Sequence, residues 1–436
     1  MKNLNSLLFY LTTTIIITLL ASLHFLPIEK IVSYSIVWIS ASILFLLFAF
    51  FLSRQNLSSK TIFYFIAVGV LVRLSFINTS PIGSDDIYRY IWDGKIQNAG
   101  INPYLYKPTD NNLKSLHSSV LPDKMNFKEM KTIYFPLSQW LFYSGYKLSG
   151  ENYWGYKLLL LVFELMTFYA LYILLKELNI ELKNILLYVL CPLPIIQFAV
   201  DAHLDGFGLP ILLFAIYYYT KEKKTLSAIL LGLSFSIKPV GLVMIPVFFL
   251  VEKKFQDKLK FLFIPFIAFG FQFIPYIFTT NPFEAFLIYT KNWFYNGLVF
   301  NFLNHFIHNN QTSRMICSGM LFISLLPIYF SKKKWEDKIY YSLIMLMIFS
   351  PVVHPWYIAW VAIFISLNQK WSAIVFTAAC SLTSFTLINY ISTGVWKDYW
   401  LVQLVEYISL IIFICLEFFP QSQNRLYKLI RQPVEN

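Results

Sequence analysis

The chain has 436 residues, of which 57% are hydrophobic, 19% aromatic and only 13% charged. A soluble domain carries about 25% charged residues, so this chain has roughly half the charge needed to cover globules of its size. A soluble enzyme, a disordered tail and a disulfide scaffold are all excluded as descriptions of the whole chain, and an all-α polytopic membrane protein is expected, with about 12–14 transmembrane or half-membrane helices. The formal charge of +12 comes from 35 Lys and Arg against 23 Asp and Glu, and its meaning depends on where those residues fall. Cys191, Cys317, Cys380 and Cys415 lie in or beside apolar segments without C-x-x-C spacing, and read as small hydrophobes in helix packing.

In chain order, the first apolar run ends at Phe25 before Pro27 and has no small-x-small cleavage site. It reads as an uncleaved first helix. Further spans are predicted at roughly 31–52, 61–79, 153–175, 184–200, 207–219, 261–278, 313–330, 338–350, 355–367, 371–389 and 399–419. Residues 225–251 are flanked by K-E-K-K and E-K-K-F-Q-D-K-L-K, and two basic flanks ask for the same side of the membrane. The segment therefore reads as two half-helices reversing at Lys238-Pro239, where proline removes a backbone donor.

With the N-terminus in the cytoplasm, the inner segments carry 20 Lys and Arg. The short outer loops carry three: Lys30, Lys291 and Lys397. This asymmetry places both termini in the cytoplasm and, in a bacterial cell, the chain in the inner (plasma) membrane. The basic balance then belongs to membrane orientation, and nucleic acid drops out as a partner. One domain spans 1–436, with a single large hydrophilic loop, 80–152, on the outer face. No G-x-x-x-x-G-K-[ST] motif occurs, which excludes an ATP-driven transporter in this chain.

Four constellations could carry chemistry. The outer loop opens P81-I-G-S-D-D-I-Y-R-Y-I-W-D-G-K, with a helix expected from Asp85 to Gln97, Ser84 as N-cap, and Arg89 on the same face as Asp85 or Asp86. A capped interfacial helix is the plainer alternative, but paired acids at a membrane surface are costly without a task. D201-A-H-L-D205 sets Asp201, His203 and Asp205 in alternation. An extended turn would aim all three at one target, and leaves room for a divalent cation, Mg or Mn. Lys238 near the bilayer centre asks for an anion, either a phosphate or an acid such as Glu164 or Glu406. In S350-P-V-V-H-P-W-Y357, two prolines bracket His354, followed by Trp356 and Tyr357. Arg73 and Arg314 are expected to snorkel to lipid phosphates.

The S-D-D-x-Y-R-Y and N-P-Y runs over 83–104, followed by the K-P and H-P-W-Y breaks, resemble the GT-C superfamily of membrane glycosyltransferases. Within it, the bacterial polyprenyl-phosphate-mannose-dependent mannosyltransferases are the nearest likeness. The resemblance implies an inverting transfer of a sugar, mannose first, from a polyprenyl-phosphate donor to a glycan or glycolipid acceptor at the outer leaflet. It assigns the base to Asp86 or Asp85, with Asp86 preferred, and the donor phosphate to Lys238, Arg89 and His354. Substrate contacts fall to Tyr88, Trp92, Asp93, Asn102, Tyr104, Asp201, His203, Asp205, Trp356 and Tyr357. Many relatives place the acid loop directly after the first helix, whereas here two more spans precede it. Rival classes are a flippase or transporter of lipid-linked sugars, which calls for paired broken segments in an internal repeat, and a polysaccharide ligase or polymerase. A strongly basic outer loop would favour the latter; this one carries eight Lys and Arg against seven Asp and Glu.

Overall fold

The computed structural model describes residues 2–26 and 30–418. Pro27 and the basic segment 420–436 lie outside the described residues. Among the described residues, the chain is helical, with no strand beyond isolated bridges from Tyr295 and Asn296 to Val352. Six helices among the described residues are long and apolar enough to cross a membrane: Asn3–Phe25, Ile31–Ser53, Trp154–Glu177, Asn310–Phe330, Trp371–Thr393 and Trp400–Glu417. The pair Leu182–Val189 and Pro192–Val200, bent by 44°, makes a seventh if counted as one span. Pro192 and Pro194 explain the bend, because a proline disfavours helix at the preceding residue and removes a donor. The protein is a multi-pass membrane protein.

The chain divides into two compact units. One comprises the residues up to Phe76, Leu171–Val200 and those from Val353 onward. Its first helix packs on Ile31–Ser53 through Phe9, whose ring stacks on Phe48 at 5.6 Å. Arg73 is buried there and donates to the carbonyls of Gly69 and Val189 at 3.1 and 2.9 Å. The snorkelling expectation for Arg73 is thus corrected: the carbonyl of Val189, at a helix end, offers an acceptor inside the protein. The Glu417 carboxylate takes the Ser372 amide and hydroxyl at 2.9 and 2.7 Å, capping a helix start that has no cap of its own.

The other unit comprises Ile77–Ala170 and Asp201–Val352. It contains the segment 80–152, in which helices Asp86–Asn98 and Pro136–Ser149 lie against each other. They meet closely at Gly94, where an added Cβ would fall 2.3 Å from the Phe142 carbonyl oxygen. Helix Lys224–Phe235 leads to a reversal at Ser236–Lys238, and Pro239–Val243 and Met244–Val251 return. Lys224 and Glu252, at the two ends of this segment, form an ion pair at 2.7 Å. Both basic flanks therefore lie together, and the segment is a hairpin. Arg314 does not snorkel either: it donates to the Trp293 carbonyl and lies over the Phe300 ring.

The Gly94 approach makes a prediction. Gly94→Ala forces a methyl against a backbone oxygen and should cost about 1–3 kcal/mol, read as a lower thermal midpoint in detergent. Gly270→Ala, on a helix where nothing lies within 4 Å of the added carbon, should leave the midpoint unchanged or raise it.

Candidate active site

The acid pair opens the Asp86–Asn98 helix. Asp85 is the cap residue and makes no side-chain capping bond; the Ser84 hydroxyl accepts from the Asp86 amide at 3.2 Å. The helix thus begins one residue later than expected. Asp85 keeps solvent exposure and Asp86 is half-buried, and one side chain spans them. The Asn126 amide nitrogen donates to Asp85 Oδ1 at 2.9 Å and to Asp86 Oδ1 at 2.7 Å. On the other oxygen of Asp86, the Tyr90 hydroxyl donates at 3.4 Å and His203 Nδ1 lies at 3.4 Å. Crowding by protein, reinforced by the neighbouring Asp86 charge, raises the Asp85 carboxyl to about 6.

The three polar side chains of the D-A-H-L-D turn take different partners. Ala202 sits at φ +62, a left-handed conformation that sends the flanking side chains in different directions. Asp201 accepts the amides of Ile82 and Gly83 at 3.1 and 2.7 Å and so fixes the approach to the acid pair. His203 turns to Asp86. Asp205, fully buried, pairs with Lys238 at 2.9 Å. The expectation that an extended turn aims all three at one target is corrected, with the left-handed Ala202 as the reason. Among the described residues, no group of three or more His, Cys, Asp or Glu is arranged to hold a metal ion.

Lys238 stands at the hairpin reversal and pairs with an acid, Asp205, rather than with Glu164 or Glu406, the examples given as the alternative to a phosphate. The reversal is anchored to the outer segment by the Ser138 hydroxyl, which donates to the Ser236 carbonyl at 2.9 Å. Both Asp205 and Asp86 exert their charge on Lys238. The turn at 201–205 thus links the hairpin, through Asp205 on Lys238, to the acid pair, through His203 beside Asp86.

Arg89 pairs with Asp93 at 3.0 Å, not with Asp85 or Asp86, and donates to the Met130 carbonyl at 2.9 Å. A helix brings residues four apart to one face, and the buried Asp93 carboxylate draws the guanidinium one turn onward. Gln139 completes Asp93 at 3.0 Å. Trp92 is buried with its edge to His117, and the Tyr104 hydroxyl donates to the Tyr134 carbonyl at 2.7 Å. Asn102 binds Thr279 at 2.6 Å. Asp93, Trp92, Asn102 and Tyr104 thus build the frame of the outer segment. Tyr88 is half-exposed. His354, Trp356 and Tyr357 belong to the first unit, where His354 precedes helix Pro355–Asn368 and stacks on Trp356 at 4.3 Å.

Three residues were missed by sequence reasoning. Asn126 lies in K-M-N-F-K-E-M, which has no pattern of its own. Tyr90 sits inside the quoted motif without having been singled out. Tyr156 stacks on Tyr90 at 5.2 Å, and its buried hydroxyl has no hydrogen-bond partner among the described residues.

The fold and this cluster define a class: a multi-pass membrane enzyme that gathers a carboxylate pair, a histidine and a buried lysine in one compact unit. Residues 12–253 match the model of the alpha-(1->6)-mannopyranosyltransferase family, N-terminal domain, and residues 296–418 match the MptB C-terminal domain. The first match covers more than half of the chain, which belongs to the alpha-(1->6)-mannopyranosyltransferase family and is a glycosyltransferase. Among solved structures, ArnT from Cupriavidus metallidurans bound to undecaprenyl phosphate is similar at a TM-score of 0.46 and 13% identity. That alignment covers 87% of this chain and 74% of that one. No curated protein matches the chain. The mannosyltransferase resemblance drawn from residues 83–104 agrees with the family matches.

The Asn126 bridge yields a second prediction. Its hydrogen bond lowers the Asp85 carboxyl, so Asn126→Ala should move the acid limb of the pH–rate profile upward from about 6. An unmoved limb would mean that Asp85 does not govern the rate.

Proposed function

We propose that the protein transfers mannose from a polyprenyl-phosphate donor to a hydroxyl of a glycan or glycolipid acceptor, with inversion at the sugar carbon. The single observation that carries this reading is the Asn126 amide holding Asp85 and Asp86 together in the unit that also contains the Asp205–Lys238 pair. The family supplies the sugar, and the membrane-spanning helices suit a donor carried on a lipid. The segment 80–152 acts as the catalytic loop on the outer face of a bacterial inner membrane, with both termini in the cytoplasm.

In this reading Asp86 is the base. Its carboxylate takes the acceptor proton as the acceptor oxygen attacks the sugar carbon and the bond to the donor phosphate breaks. Asn126 and His203 fix the carboxylate so that little reorganisation is needed in the transition state. Lys238 stabilises the leaving phosphate, and Asp205 holds that lysine in place. Asp85, titrating near neutral pH, tunes the charge of the pair. Asp201 and Arg89 position the loop through backbone contacts.

The test is a transfer assay on purified protein, with radiolabelled polyprenyl-phosphate mannose, and polyprenyl-phosphate glucose in parallel. General-base contributions run to about 10²–10⁴-fold, so Asp86→Asn should lose activity in that range. Full activity in Asp86→Asn would sink the base assignment, and label that crosses the membrane without forming a product would point to a flippase. Lys238→Ala should raise the KM for donor more than that for acceptor; equal changes would make the lysine structural. An ionised Asp85 is the active form, so the rate should fall as pH drops through about 6. An EDTA arm tests the requirement for Mg or Mn.

A further inference from the structure

The segment 122–131 is tied down on the C-terminal side of its tip. The Met130 carbonyl accepts from Arg89, and Lys131 pairs with Glu284 at 2.8 Å, at the start of helix Glu284–Asn292. At the tip, Asn126 grips both acids, and the next residue is Phe127. Phe127 lies at φ +47 and is 55% exposed. A bulky residue in the left-handed region is a genuine outlier, and core packing does not explain one that faces outward. Its ring meets Trp293 at 4.8 Å with the planes 73° apart. The Tyr289 ring lies 5.5 Å from Trp293, and Arg314 holds the Trp293 carbonyl.

Two near-perpendicular rings thus form a floor and a wall, adjoining the amide that orients the acid pair. The rim is charged: Asp123, Lys124, Lys128 and Glu129 lie in the same segment, and Glu284 is exposed beside it. Such a rim is costly in hydrocarbon, which argues against a lipid-facing role for these rings. A pyranose presents an apolar C–H face with hydroxyls around its edge. The aromatic floor suits the face, and Asn126 with the charged rim suits the edge.

We propose that Phe127 and Trp293 form a stacking subsite for a hexose ring of the acceptor glycan, directly beside the carboxylate pair. The assignment rests on the mannosyl-transfer reading and names its acceptor class as a saccharide with at least one ring already in place. The shelf binds the ring nearest the attacking hydroxyl and so sets the distance of that hydroxyl from Asp86.

The left-handed backbone provides a clean variant. Phe127→Gly removes the ring at a φ that glycine adopts freely, so the thermal midpoint should hold or rise. Trp293→Ala and the conservative Phe127→Tyr complete the set. Binding of a synthetic octyl α-(1→6)-mannobioside is measured first, by saturation-transfer difference NMR in nanodiscs and in detergent, and turnover second. Phe127→Gly and Trp293→Ala should weaken mannobioside binding and raise its KM by about five- to tenfold, with the donor KM within twofold. Phe127→Tyr should restore binding. Unchanged binding in Phe127→Gly, or equal losses for donor and acceptor, would overturn the subsite. An effect present in nanodiscs and absent in detergent would also overturn it, giving the rings to lipid. Wild-type protein that binds the mannobioside through Phe127 but transfers no mannose would leave the subsite standing and sink the catalytic reading instead.

Discussion

The arrangement of the site depends on one constraint: a charge inside a low-dielectric protein must be paired. Lys238 and Asp205 satisfy it at 2.9 Å, with the Asp205 side chain wholly buried. Removing one partner of such a pair leaves the other uncompensated, at a cost of about 3–5 kcal/mol. The pair joins the hairpin reversal at Lys238-Pro239 to the turn at 201–205. Around it the chain has few choices. Ser138 fastens the outer segment to the reversal, and Asp201 fastens the approach to the acids.

A second constraint follows from the first. Once Asp205 is committed to Lys238, the remaining acids need their own support, and they receive it from polar side chains. Asn126 and Tyr90 donate to them, and His203 supplies a ring nitrogen beside Asp86. Hydrogen bonds to a carboxylate favour its charged form, while crowding by protein opposes it. The balance leaves Asp85 titrating near neutral pH, in the range where a proton can be moved in either direction. Left-handed backbone at Ala202 and Phe127 is part of the same construction. Both residues adjoin groups that touch the acids, where local strain is offset by the bonds made on either side.

Much of the fold was legible in the sequence, because hydropathy reports exposure to lipid directly. The long apolar runs became helices, and the opposed basic flanks of 225–251 foretold a hairpin that the Lys224–Glu252 pair closes. The acid pair and Lys238 stood out because charge in an apolar chain is rare and asks for a cause. Their partners did not stand out. Asp93 takes Arg89 because it is buried one turn further along the helix, and Asn126 reaches the acids across 40 and 41 residues of chain.

By itself, then, the sequence determined the class of protein, the approximate spans and the residue types able to do the chemistry. These follow from local composition and from the energy of transferring side chains out of water, which each segment carries on its own. Only the tertiary structure decided who pairs with whom: Lys238 with Asp205, Arg89 with Asp93, and both acids with Asn126. Those choices depend on where separate segments meet and on single backbone angles such as that of Ala202, and no periodic pattern along the chain encodes them.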